Sequence, residues 1–435
     1  MIIKYAVTNF RSFKNRTTLS MVAGPQTTLN ENLIRQYGYR LLPSVVLYGA
    51  NASGKSNLIM SLAVMKQIVL AGTLESNHPD LNNLELYPFV HNGHKEPMSF
   101  ELEFFHKGYH VLYGIELSCD SFKTGCRRIE QEWFSLFQQN GKEINIFRRD
   151  QDGLQLYTDA KALRFINQKK KLVNELENMI NANLDDAELF LSRAFKSTVN
   201  HELADVVLDY FKEKLVVVSD FTLKKATISF MVKEMPEKDY YAWNEIIDGF
   251  VKNADFGPQG VAFRLVETDE EESADAELMS FYKQKEKNIA IPSELMESRG
   301  TLKLIDFAIP FVKLFRSGGV FVLDEFDSAI HPELIRGIIS LFNNQDINKA
   351  GAQLIFTTHN PIYLNNKIFR RDQVLFIEKD TQKYESVLYS LADFGSEEVR
   401  NDHNYLLNYF KGNYGALPYV DFSKLINGNN NNMED

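Results

Sequence analysis

Apolar and polar residues alternate from Ile2 to Phe10, the period of a half-buried strand, and Thr17 to Val22 repeats the pattern. Val45, Val46, Leu47 and Tyr48 instead form a continuous apolar run, read as a strand buried on both faces, and Asn57 to Leu70 places apolar residues at helical spacing. Four further strands are predicted at Met98–Phe105, Tyr109–Leu117, Glu130–Gln138 and Glu143–Arg148, with hairpin breaks at Lys107-Gly108 and Asn140-Gly141. The pattern turns helical from Ala160 to Glu213. A strand at Leu215–Ser219 and an amphipathic helix at Tyr241–Ala254 follow. Three apolar strands close the chain's core: Gly319 to Glu325, Gln353 to Asn360 and Val374 to Asp380.

The loop between the run at Val45–Tyr48 and its helix carries the chemistry. Gly49 to Ser56, GANASGKS, fits G-x-x-x-x-G-K-[ST] in the strand–loop–helix context that the P-loop mechanism requires. Gly49, Asn51, Ala52, Ser53, Gly54, Lys55, Ser56 and Asn57 are the candidate nucleotide-binding residues. Backbone N–H groups around Ala52 to Lys55 face phosphate oxygens, aided by the helix N-terminus. Lys55 bridges the outer phosphates and the Ser56 hydroxyl holds Mg²⁺. Gly319–Glu325, GVFVLDE, has the Walker B form: Asp324 serves the metal and Glu325 polarises an attacking water. QLIFTTHN ends in His359, one βαβ unit later, where an imidazole can sense the γ-phosphate. Together these segments predict an ATPase with ATP and Mg²⁺ as cofactors.

The chain has 435 residues, 44% hydrophobic and 24% charged, enough for two or three domains. Its net charge of −10 argues against a general electrostatic grip on DNA. Two cysteines, Cys119 and Cys126, make neither a metal box nor a disulfide framework, and read as thiols in a reducing cytosol. MIIKYAVTNF lacks the apolar core of a signal peptide, and no apolar run reaches the ~18 residues of a membrane span. The expectation is a cytoplasmic protein with no membrane contact. The Lys169–Lys171 run and the acidic stretch Val266–Glu277 read as solvated surface, and Asn427–Asp435 as a frayed tail.

P-loop and Walker B lie much farther apart than a minimal core needs, so something sizeable is inserted. Just before the second half, Glu297-Ser298-Arg299-Gly300-Thr301 opens a strongly apolar helix running through Phe315. A Ser-x-Gly at a helix N-terminus presents a hydroxyl, an N–H and a partial positive charge together, a second anion site most useful against ATP held by another subunit. Taken alone, Ser298 is a simple N-cap.

With these motifs the chain resembles the ABC-type ATPases of the SMC/RecF/OLD group. Within it, the likeness is to the small AAA-type proteins of bacterial anti-phage and abortive-infection operons, RloA-like and AriA-like. The likeness rests on Asn9-Phe10-Arg11-Ser12-Phe13, the P-loop, Ser298-Arg299-Gly300-Thr301 as a reduced signature, and Leu323-Asp324-Glu325 with Asp327 and His331-Pro332. Thr357-Thr358-His359-Asn360 and the closing Tyr414-Gly415-Ala416-Leu417-Pro418 complete it. It implies an α/β fold: a P-loop NTPase ABC-type head with an antiparallel β lobe and an inserted helical subdomain. The expected division is an N-terminal ATPase lobe (1–158), a largely helical insertion (159–290), a C-terminal ATPase lobe (291–426) and a disordered tail (427–435). It also implies a homo-oligomer, a dimer or multiple of dimers, with ATP at the interface. Ser298 and Gly300 then touch the γ-phosphate across the boundary, with Asp327 and His331 nearby. Glu325 is the general base, His359 the switch, and Arg11 lies near the nucleotide. The signature departs from LSGGQ, with Arg299 for the first Gly and Thr301 after Gly300, which weighs against a transporter. No glutamine marks a Q-loop near Met98–Phe105.

The function this resemblance implies is a nucleotide-driven sensor or scaffold in anti-phage defence, holding a separate toxin or nuclease effector and answering a phage trigger. A repair ATPase of the RecF/SMC type is the alternative; nucleic acid binding is possible on a local basic groove but is not indicated by the charge. A third reading, a nuclease fusion beginning at Val374–Asp380, leaves too little chain for a TOPRIM domain, so Glu378 is read as a strand-end acid.

Overall fold

A strand flanked by others on both sides and covered on both faces needs apolar residues throughout, and Ser44–Tyr48 is buried along its whole length. It lies inside a six-stranded sheet, parallel to Ala352–Thr357 on one side and Val374–Lys379 on the other. Gly319–Leu323 and Leu215–Val218 extend the first side in parallel, and antiparallel Ser386–Ser390 closes the second. The computed structural model describes residues 1–75, 78, 81, 84, 86–89, 96–118, 128–166, 170–218, 237–238, 241–254, 257–266, 275–284, 287–395 and 404–418. Cys119, Cys126, Lys169, most of the acidic stretch and the tail Asn427–Asp435 lie outside them.

Side chains alternate across this sheet with the period of two that strands impose. Val45, Leu47, Val320, Val322, Ile355 and Leu375 point into one core, shared with the P-loop helix Lys55–Ala71 and the β lobe. Val46, Tyr48, Phe321, Leu323, Phe356 and Phe376 point into the other, beneath the signature helix Arg299–Ser317 and the helix Pro332–Asn343. The parallel order brings the C-terminal ends of the P-loop, Walker B and switch strands to one edge, where open α/β sheets bind ligands.

The β lobe is a seven-stranded antiparallel sheet built from Ile2–Thr8, Thr17–Ser20 and five strands between Met98 and Leu156. Buried Gln353 stitches it to the central sheet: its Oε1 accepts from the Ile2 N–H at 2.7 Å, and its Nε2 donates to the carbonyls of Ile2 (3.1 Å) and Leu42 (3.2 Å).

The stretch 159–290, expected to be largely helical, runs through successive helices as far as Lys214 and holds one further helix, Glu245–Asn253, among strands. Beyond Leu215–Val218, Gly260–Val266, Asp275–Gln284 and Lys287–Pro292 pair in a five-stranded antiparallel sheet with two short strands. Asp275–Glu277, read as part of an acidic loop, thus begins a strand. The reason is packing: Val261, Phe263 and Leu278 join the helix Glu245–Asn253 in covering Leu302, Ile305 and Ala308 of the signature helix. Val374–Lys379 is likewise a strand of the central sheet, and its Glu378 accepts from Tyr389 Oη at 3.3 Å.

Candidate functional site

The loop after Ser44–Tyr48 turns tightly enough to require unusual backbone: Ala52 has φ 62° and Gly54, the helix N-cap, φ 114°. A Cβ at Gly49 would collide with the Ile377 carbonyl oxygen, and one at Gly54 would press on the hydroxyls of Ser386 and Ser12. The result is a cradle with no room for side chains. Lys55 is 5% exposed, and its ammonium folds back onto the carbonyls of Gly49 (2.9 Å) and Ala50 (3.0 Å). Burial lowers its pKa to about 8, partly opposed by the charges of Asp324 and Glu325. The Ser53 hydroxyl is buried in this loop with no hydrogen-bond partner among the described residues, while Ser56 and Asn51 are exposed.

The N-terminal motif braces the loop from the side. Asn57 Nδ2 donates to Ser12 Oγ at 2.8 Å, Arg11 Nη1 to Asn57 Oδ1 at 3.4 Å, and Ser386 Oγ to the Ser53 carbonyl at 2.6 Å. The Arg11 guanidinium lies over the rings of Phe10 and exposed Tyr87, at 5.5 and 5.8 Å from their centroids.

At the end of Gly319–Leu323, the Asp324 N–H bonds the Val218 carbonyl (2.9 Å), and Asp324 Oδ1 accepts from Thr357 Oγ1 at 2.5 Å. The same Thr357 oxygen accepts from the Glu325 N–H at 2.7 Å, holding Glu325 at φ 44°. Two residues beyond Thr357 stands exposed His359. Desolvation and the Lys55 charge hold its imidazole below the ordinary histidine value, opposed by Glu325, Asp327 and Asp324. Lys55, Asp324, Glu325 and His359, from three adjacent parallel strands, thus share one electrostatic neighbourhood.

The Ser298 pair is elsewhere. Exposed Ser298 caps the signature helix, its Oγ accepting from the Thr301 N–H at 3.1 Å, and Gly300 is buried with no room for a Cβ against the Ala329 carbonyl. Both line a cleft of about 420 Å³ with His331 and Glu333, which includes no P-loop residue. His331 caps the next helix, its Nδ1 accepting from the Glu333 N–H at 3.3 Å.

Two residues of the site were given no role of their own from sequence, Thr357 being quoted only within the Thr357-Thr358-His359-Asn360 motif. Thr357 sits in an apolar strand where threonine is an ordinary occupant; the doubled Thr-Thr before His359 was the available signal. Lys303, 4% exposed in an apolar helix, donates to the Glu325 carbonyl at 2.8 Å; a lone lysine on a buried face was the clue.

The donors fit a magnesium–triphosphate. The hydroxyl of Ser56 and the carboxylate of Asp324 are hard oxygen ligands, and the side-chain-free cradle at Gly49 and Gly54 matches a phosphate chain. No group of three or more His, Cys, Asp or Glu among the described residues forms a metal cage by itself.

A family model described as "AAA domain, putative AbiEii toxin, Type IV TA system" matches residues 44–365. Among solved structures, the SmcHead bound to the C-winged helix domain of ScpA is similar over 89% of this chain and 97% of its own, at 14% identity and a TM-score of 0.40. The SMC head domain from Thermotoga maritima is similar over 89% and 98%, at 14% identity and a TM-score of 0.37. No protein of curated function matches the sequence. No helix among the described residues is long and apolar enough to cross a membrane. With its P-loop, its largely parallel central sheet and its antiparallel lobe, the fold is that of an α/β P-loop NTPase domain.

Proposed function

We propose a function from one premise: the chain belongs to the AAA-domain family matched by its central stretch. On that footing it binds and hydrolyses ATP. The observation that carries this reading is the sheet order, which sets the Lys55 loop, the pair Asp324 and Glu325, and His359 after three adjacent parallel strands at one sheet edge. Lys55 exchanges the loop carbonyls of Gly49 and Ala50 for phosphate oxygens, a charge-assisted bond in a site shielded from water. Backbone N–H groups from Ala52 to Lys55, with the Ser53 hydroxyl, line the phosphates, and Asn51, Asn57 and Arg11 flank them. Ser56 and Asp324 hold magnesium, which neutralises phosphate charge when bound. Glu325 accepts the proton of the attacking water, and His359 hydrogen-bonds the γ-phosphate.

Ser298 and Gly300 lie outside this pocket in their own chain, so we assign them to a second copy, closing the nucleotide at a homodimer interface. The Gly300 contact with Ala329 sets the position of that helix end, and its backbone N–H is the group presented. Biologically, we read the chain as a nucleotide-driven sensor or scaffold in bacterial anti-phage defence, acting on a separate toxin or nuclease effector after a phage trigger. The toxin–antitoxin wording of the family description and the sequence resemblance support this reading.

Phosphate release by the purified chain tests the chemistry. Lys55→Ala should abolish nucleotide binding, and Glu325→Gln should retain ATP while slowing turnover by about 10²-fold or more. Wild-type turnover in Lys55→Ala refutes the assignment. Loss of phage protection in both variants supports the defence role, whereas ATP-dependent, salt-sensitive duplex binding by the chain alone points to repair.

A further inference from the structure

The turn that follows the Walker B strand is held in shape from two sides. Inside it, the Ser328 N–H bonds the Glu325 carbonyl (3.0 Å) and the Ile330 N–H bonds that of Asp327 (3.2 Å). Glu325 at φ 44° and Ala329 at φ 65° both occupy the left-handed region, which L side chains rarely adopt. Such a backbone persists where its surroundings over-determine it. One clamp comes from the switch strand: Thr357 accepts from the N–H of Glu325 through its hydroxyl (2.7 Å) and of Phe326 through its carbonyl (3.2 Å).

The other clamp comes from the signature helix. Gly300 abuts the Ala329 carbonyl with no room for a side chain. Just beyond it along the helix, Lys303 Nζ donates to the carbonyls of Glu325 (2.8 Å) and Ser328 (3.5 Å). Lys303 is 4% exposed, between Leu302 and Leu304 in the chain, where a leucine would satisfy the packing. Burying an ammonium is costly unless it is paired, so its presence needs a reason beyond filling space. Asp327, Glu325 and Asp324 all pull its proton affinity upward against that burial.

We infer that Lys303 is a positioning residue that couples the signature end of its helix to the Glu325 carboxylate of the same chain. A phosphate capped by Ser298 and the Gly300 N–H belongs to the partner's nucleotide, whereas Glu325 serves the chain's own. Any shift of the helix end on capping is passed through the ammonium to the turn that aims Glu325. Hydrolysis at one site is thereby tied to nucleotide at the other. The inference rests on the ATPase reading above.

Lys303→Met, of similar length and uncharged, and Lys303→Arg test it, with hydrogen–deuterium exchange of the 324–330 segment read beside steady-state kinetics. Lys303→Met should keep Mg·ATP affinity within about threefold while kcat falls about 10- to 100-fold, the scale of a misplaced catalytic group. Exchange across the segment should rise, and Lys303→Arg should restore both readouts. Wild-type exchange and kcat in a folded Lys303→Met protein would overturn the inference. So would equal losses of affinity and folding in both variants, which mark a purely structural lysine. Should the wild-type chain fail to hydrolyse ATP, the ATPase reading falls, while the exchange of the turn still decides what Lys303 holds.

Discussion

Thr357→Val removes one oxygen from the centre of the candidate site and changes little else. The side chain is fully buried, and its hydroxyl both donates to Asp324 Oδ1 at 2.5 Å and accepts from the Glu325 N–H at 2.7 Å. A hydrogen bond to a charged acceptor contributes about 1.5–3 kcal/mol, and a stranded N–H costs about 1–3 kcal/mol. The two share one oxygen, so the combined loss is on the order of 3 kcal/mol rather than their sum. Glu325 already holds a left-handed backbone at φ 44°, so the freed residue relaxes away from its position. If that energy is expressed in the hydrolytic state, kcat drops by about 10²-fold. Nucleotide affinity, set by the Lys55 loop, stays within about threefold. Phosphate-release kinetics and nucleotide titration read both quantities, and Thr357→Ser, which keeps the oxygen, should recover most of the rate. A Thr357→Val protein with wild-type kcat and an unchanged melting temperature would refute the role given to this hydroxyl.

Other outcomes follow from the same geometry. Lys55 titrates near pH 8 in the free chain, and phosphate charge raises that value in the complex, so binding takes up a proton above pH 8. Nucleotide affinity should therefore be level with respect to this group below pH 8 and fall by up to about tenfold per unit above it; fluorescent-nucleotide titrations that strengthen with pH would contradict this. Gly300→Ala forces a methyl into the Ala329 carbonyl and should cost about 1–3 kcal/mol, visible in thermal denaturation, with hydrolysis reduced as the turn shifts. Arg370 is fully buried, paired with Asp372 at 2.9 Å and donating to the Gln26 carbonyl at 3.0 Å. Arg370→Ala leaves the Asp372 charge uncompensated and should cost about 3–5 kcal/mol in urea denaturation, whereas replacing both residues with apolar ones should cost less.

The central sheet was legible because strands buried on both faces must be apolar throughout, so Val45–Leu47 and Val320–Leu323 stand out from their surroundings. The P-loop was legible because its glycines are demanded by a turn that admits no Cβ. The sheet around Gly260–Pro292 was not: Lys287–Pro292 mixes charge and proline with apolar residues, and its register comes from pairing with Asp275–Gln284 rather than from local pattern. Thr357 and Lys303 were given no role for a related reason. Their partners lie on other strands and helices, so the doubled threonine and the lone lysine in an apolar helix mark the positions without naming those partners.

The central claim is that three strand ends build one magnesium–triphosphate pocket, closed by a second copy of the chain. Calorimetric titration of the Glu325→Gln protein with Mg·ATP, with molar mass followed by light scattering, addresses it most directly. The account expects one nucleotide bound per chain and a mass that doubles on binding, both lost in Lys55→Ala. A folded Glu325→Gln chain that binds no nucleotide at millimolar Mg·ATP would contradict it.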